Sequence, residues 1–134
     1  MKDVNLVGRH DETSVDLEGS AEALRTVSRA IRDPVGRQTI PLEIRSAPPD
    51  PYPDYIRSVT IERAEGLVRI SRAGDRLTVA GAPELLAVLA QNIEFLANSS
   101  DSEGSSSGRH VHIEYYEGHF FLHKESVRLI VTKI

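Results

Sequence analysis

Four of the five histidines, His110, His112, His119 and His123, fall within one short stretch, interleaved with Glu114, Tyr115, Tyr116, Phe120 and Phe121. Imidazole titrates near neutral pH, ligates divalent metals and pairs with carboxylates, so this is where chemistry or recognition is most concentrated. Read as two strands around a two-residue Glu117-Gly118 turn, the segment pairs Tyr116 with His119, Glu114 with Phe121 and His112 with His123. Strand alternation then sets His110, His112, Glu114, Tyr116, His119, Phe121 and His123 on one face. Val111, Ile113, Tyr115, Phe120 and Leu122 take the other, which is expected to be the core. The polar face is left for a partner. His110, His112, Glu114 and His123 have the composition of a zinc or non-haem iron site. A histidine-rich strand face without a metal is the commoner arrangement, so no metal and no cofactor is assigned.

Other chemistries find less support. Serines are plentiful, but no Gly-x-Ser-x-Gly elbow is present. Gly74, Gly81, Gly104 and Gly108 punctuate turns rather than cradle a phosphate. Asp16 and Glu18 read as a solvated strand face. No catalytic residue is assigned and no enzyme is expected. Arg25, Arg29 and Arg32 share a helical stripe that could meet an acidic protein or a phosphate backbone. The segment from Ala47 to Tyr55, with Pro48, Pro49, Pro51 and Pro53, is a stiff loop. It offers Tyr52 and Tyr55 for recognition at low entropic cost.

Composition narrows the classes further. The chain has 134 residues, 40% hydrophobic and 27% charged, the balance of one soluble globular domain. It contains no cysteine, which excludes disulfides, thiolate nucleophiles and iron–sulfur ligation. A net charge of −4 and a pI of about 5.7 argue against nucleic acid. No apolar run approaches the roughly 20 residues of a membrane span, and the first residues lack a signal-peptide block, so the expected location is cytoplasmic.

These residues must be positioned by alternating and helical segments. Alternation predicts strands at 3–8, 14–18, 38–45, 56–63, 66–72, 76–80, 109–116, 119–123 and 127–133, with Pro41 marking an edge position. A 3.6-residue spacing predicts one helix from Ser20 to Asp33, through Leu24, Val27 and Ile31. It predicts a second from Pro83 to about Ala97, through Leu86, Leu89, Ile93 and Leu96. Residues 99–108, rich in serine and glycine, read as a flexible linker.

Residues 15–32 align without a gap to 77–94, matching Gly19 with Gly81, Glu22 with Glu84, Leu24 with Leu86 and Ile31 with Ile93. The expected architecture is α+β in a single domain, 1–134, with mostly antiparallel sheet and two helices. It comprises two β-α-β-β-β pseudo-repeats, about 14–72 and 76–134, preceded by one strand.

Together, GSAEALRTVSRAI (19–31), LTVAGAPELLAVLAQNIEFLA (77–97) and HVHIEYYEGHFFLHKESVRLIV (110–131) resemble the immunity protein 32 family of bacterial polymorphic toxin systems. The resemblance rests mainly on His-x-His-x-Glu-Tyr-Tyr-x-Gly-His. It implies a small cytoplasmic α+β protein that binds and neutralises a cognate toxin. The resemblance itself carries over no contact residues; the histidine face and the Tyr52/Tyr55 loop are the expected contacts on the strand and loop reading above. The repeated order is also similar to a sliding-clamp half-domain, which implies as the alternative a nucleic-acid-associated module acting through Arg25, Arg29 and Arg32. Unpaired strand edges leave room for a homodimer.

Overall fold

The computed structural model describes residues 6–33, 36–44, 52–99 and 109–134, with the backbone alone at Arg109. Residues 1–5, 34–35, 45–51 with Pro48, Pro49 and Pro51, and the serine-glycine segment 100–108 lie outside the described residues. In chain order the elements are β1 (Leu6–His10), β2 (Ser14–Gly19), α1 (Ala21–Arg32), β3 (Arg37–Pro41), β4 (Asp54–Ile56), β5 (Ser58–Arg63), β6 (Arg69–Ala73), β7 (Arg76–Gly81), α2 (Pro83–Ala97), β8 (Arg109–Ile113) and β9 (Arg128–Lys133). The class is α+β, with two helices and two mixed sheets.

Both helices form where spacing and caps agree. The Ser20 hydroxyl caps α1 by accepting from the Ala23 amide at 3.2 Å, with Glu22 in the first turn and Arg29 and Arg32 in the last. Ala23, Leu24, Val27, Ser28 and Ile31 form its buried face. α2 has no side-chain cap; Pro83 starts it instead, with its φ already helical and no N–H to satisfy. The helices meet where side chains are small: the fully buried Ser28 hydroxyl donates to the Ala90 carbonyl at 2.7 Å.

The strands form a five-stranded sheet, β4-β1-β2-β9-β8, and a four-stranded sheet, β3-β5-β7-β6. β2 runs parallel to β9 and β5 parallel to β7, while the other pairs are antiparallel. The β2–β9 pair joins an early strand to the last one, so the two ends of the chain interleave in the five-stranded sheet, whereas the four-stranded sheet is built from the middle of the chain. Residues of both sheets and both helices share one apolar cluster, including Leu6, Leu24, Ile61, Leu77, Leu89 and Leu129. Pro41 lies on edge strand β3, as its missing donor requires.

Two expectations are corrected. The strand predicted at 56–63 begins earlier and divides at Arg57, whose amide donates to the Asp75 carbonyl; β4 then joins one sheet and β5 the other. The hairpin predicted around Glu117-Gly118 is absent. β8 pairs with β9 instead, His110 opposite Thr132 and His112 opposite Ile130.

Residues 114–127 leave the five-stranded sheet and return along β6. Val68 donates to the Phe121 carbonyl, His123 to the Val68 carbonyl and Val127 to the Ile70 carbonyl, at 2.7, 2.7 and 2.9 Å. Val68, to which this strip bonds, can lie against β7 only because Gly81 has no side chain. A Cβ there would stand 2.8 Å from Val68 Cα, closer than real contacts allow.

Candidate functional site

Alternation along β8 directs His110 and His112 to the outer face of the five-stranded sheet, both exposed, their ring centroids 5.0 Å apart. Glu114, just beyond the strand, is also exposed and lies 3.5 Å from Arg128. Because opposed residues share a face, the row through His112 continues across Ile130, Asp16 and Arg9 to Tyr55 on β4. The histidine edge and the tyrosine edge, far apart in sequence, thus border one surface. Four inter-strand steps separate them, about 19 Å.

The middle of that surface is a charge network. Arg9 donates to Asp16 at 2.7 Å and to Glu18 at 3.1 Å, and the Thr132 hydroxyl donates to the other Asp16 oxygen at 3.1 Å. The Tyr52 ring lies against the guanidinium, 5.4 Å from its centroid. Burial works against the Arg9 charge, but the bond to Asp16 and the attraction of Asp16 and Glu18 outweigh it and raise the Arg9 pKa. Burial, reinforced by Asp16 and Asp11, raises that of Tyr52. Asp16 is therefore not a solvated strand residue as expected: it is 4% exposed and paired. The alternation correctly marked it as facing away from Leu17. What it lacked was Arg9 directly opposite, a register that the hairpin between β1 and β2 supplies.

The aromatic segment departs from its expected parity. Beyond the turn, where Gly118 adopts φ +88°, His119 Nδ1 accepts from the amides of Leu122 at 3.1 Å and Phe121 at 3.4 Å. That local winding replaces extended pairing and breaks the alternation, burying two consecutive side chains. Phe121, expected outside, is 5% exposed, and Phe120, expected in the core, is 66% exposed. Leu122 is buried, as expected, and Tyr116 is exposed. His119 lies among the rings of Phe121, Tyr116, Phe120 and Tyr115, with centroids at 4.5, 4.6, 6.1 and 6.3 Å. Burial lowers its pKa from 6.5.

His123 lies on the strip along β6, its Nδ1 accepting from the Glu125 amide at 3.0 Å, and does not face His112. The four-residue metal set considered from sequence is therefore not assembled. Among the described residues no three His, Asp or Glu side chains are grouped to hold a metal ion.

The arginine stripe is partly engaged within the fold. Arg25 donates to the Asn98 side chain at 2.9 Å, Arg32 lies 3.4 Å from Glu94, and Arg29 extends into solvent near Thr26. Two of the three thus tie α1 to α2. Sequence reasoning also missed a polar cleft of about 630 Å³ lined by His10, Tyr55, Arg57, Arg72 and Asp75. Its cations are occupied: Arg57 with Asp75 at 3.2 Å, and Arg72 with the Gly74 carbonyl at 2.7 Å.

No helix among the described residues is long and apolar enough to cross a membrane. Neither the curated proteins nor the solved structures contain a match to this chain. Residues 76–134, from β7 through α2, the histidine edge and the aromatic segment to β9, match the family model of immunity protein 32, the family that the His-x-His-x-Glu-Tyr-Tyr-x-Gly-His segment resembles.

Proposed function

We propose that the protein is a non-enzymatic, cytoplasmic immunity protein that binds a cognate bacterial toxin and neutralises it by covering its working surface. One observation carries the reading. The four most exposed large hydrophobic side chains among the described residues are Phe95, Phe120, Tyr116 and Ile134, and all lie within the family-matched segment. Exposed aromatics cost solvation and are typical anchors of protein interfaces. Tyr116 and Phe120 flank the same turn, following the exposed His110 and His112 of an edge strand and Glu114 just beyond it. That edge also offers backbone donors and acceptors to an incoming strand. Tyr52 and Tyr55, both half-buried at the far side of the same sheet, serve as the outer limit of the contact.

The test is co-expression with a toxin domain taken from a neighbouring reading frame, followed by co-purification and growth rescue. Replacing both Tyr116 and Phe120 by Ala should weaken the complex by about 100-fold, roughly 2.7 kcal/mol, while leaving the fold intact. An unchanged affinity would remove this surface from the interface, and unrelieved toxicity would remove the immunity reading. A second copy of the chain at the β8 edge is the competing occupant. Light scattering of the purified protein distinguishes it from a toxin-only surface.

A further inference from the structure

We propose that His119 is a proton-operated latch: its neutral imidazole holds residues 119–122 in the loop that presents Tyr116 and Phe120, and protonation releases that loop. The geometry requires a lone pair on Nδ1, since two backbone amides, Leu122 at 3.1 Å and Phe121 at 3.4 Å, donate to the same atom. An imidazolium carries hydrogen on both nitrogens and accepts nothing. Both amides would then point at a donor, within a segment already buried at Phe121 and Leu122. A second contact comes from the other side of the turn, where the His119 amide donates to the Tyr116 carbonyl at 3.0 Å. The ring and backbone of one residue thus hold both aromatic anchors.

The surroundings give the direction of the response. Rings of Tyr115, Tyr116, Phe120 and Phe121 surround the imidazole, and the titratable groups among them are the two phenols. The pKa is lowered from 6.5 by burial alone, with no charged side chain contributing. A histidine depressed in the closed state stabilises that state fully above 6.5. The contribution is lost as pH falls through the lower, closed-state value, because the open form binds the proton more tightly.

The latch belongs to the free protein, whereas its effect on toxin affinity rests on the function proposed above, and two measurements keep these apart. In an NMR titration of the full chain from pH 7.5 to 4.5, the Phe121 and Leu122 amides should move together with the His119 ring, at one midpoint below 6.5. His119→Gln, which keeps an acceptor and loses the titration, should abolish that step while retaining the neutral-pH amide positions. His119→Ala should show the open positions at every pH. A midpoint at or above 6.5, or a step that persists in His119→Gln, overturns the latch. If it stands, toxin binding should weaken by up to about tenfold per pH unit below the midpoint in wild type, and not in His119→Gln. Affinity that ignores pH while the amides move would detach the loop from the interface and leave the latch in place.

Discussion

The two sheets share a central order, antiparallel, parallel, antiparallel, and differ in what their outer faces and edges carry. On the four-stranded sheet the row Thr39, Thr60, Thr78, Ser71 crosses every strand with small hydroxyls. Thr39 and Thr60 bond to each other at 3.1 Å. One edge is guarded by Pro41, and the other is sealed by residues 121–127. The five-stranded sheet carries instead a part-buried Arg9–Asp16–Glu18 network and ends in β8, whose outer flank bears His110 and His112. Among the described residues, the same hydrogen-bonded frame therefore supports one plain, closed surface and one charged, open surface. The difference lies in side chains and edges, which the frame does not dictate.

That contrast can be broken at four places. The largest effect is expected where the sealing strip is anchored: Leu122→Ala, at a fully buried side chain, should cost about 3 kcal/mol in urea unfolding and expose the β6 edge. On the outer face of the five-stranded sheet, Asp16→Ala should cost about 2 kcal/mol. This is less than the roughly 3–5 of a fully buried pair, because about a fifth of the Arg9 side chain remains in water. Thr60→Val makes the matching change on the four-stranded sheet and should cost about 1 kcal/mol, since one neutral hydroxyl bond is lost at constant volume. Should Thr60→Val prove the more damaging of the two, the distinction drawn between the faces would fail. The smallest effect is expected at Arg37→Ala: its contact with Glu62 is 3.9 Å and well exposed, so the melting temperature should change by no more than about 0.5 kcal/mol implies.

Much of the fold was legible before any coordinates. Ser20 and Pro83 marked the helix starts, and Leu24, Val27 and Ile31, with Leu86, Leu89 and Ile93, marked the buried faces. The exposed positions of His110, His112, Glu114 and Tyr116 also followed from alternation. The inversion of Phe120 and Phe121 did not, because a short apolar pair can face either way until a hydrogen bond selects the parity. Nor did the pairing of β8 with β9, which passes over the nearer candidate strand at 119–123. Asp16 looked solvated because its partner lies seven residues earlier, across a turn.

By itself the sequence determined the α+β class, the two helices and most of the strands, because periodicity and capping act within a few residues and need no distant partner. Only the tertiary structure decided which strands adjoin, which strands end each sheet among the described residues and which phenylalanine faces water. Backbone amides and carbonyls are chemically alike in every strand, so their partners are chosen by closure of the common core and by the few side chains, Arg9, Asp16 and His119, that find their bonds once it has formed.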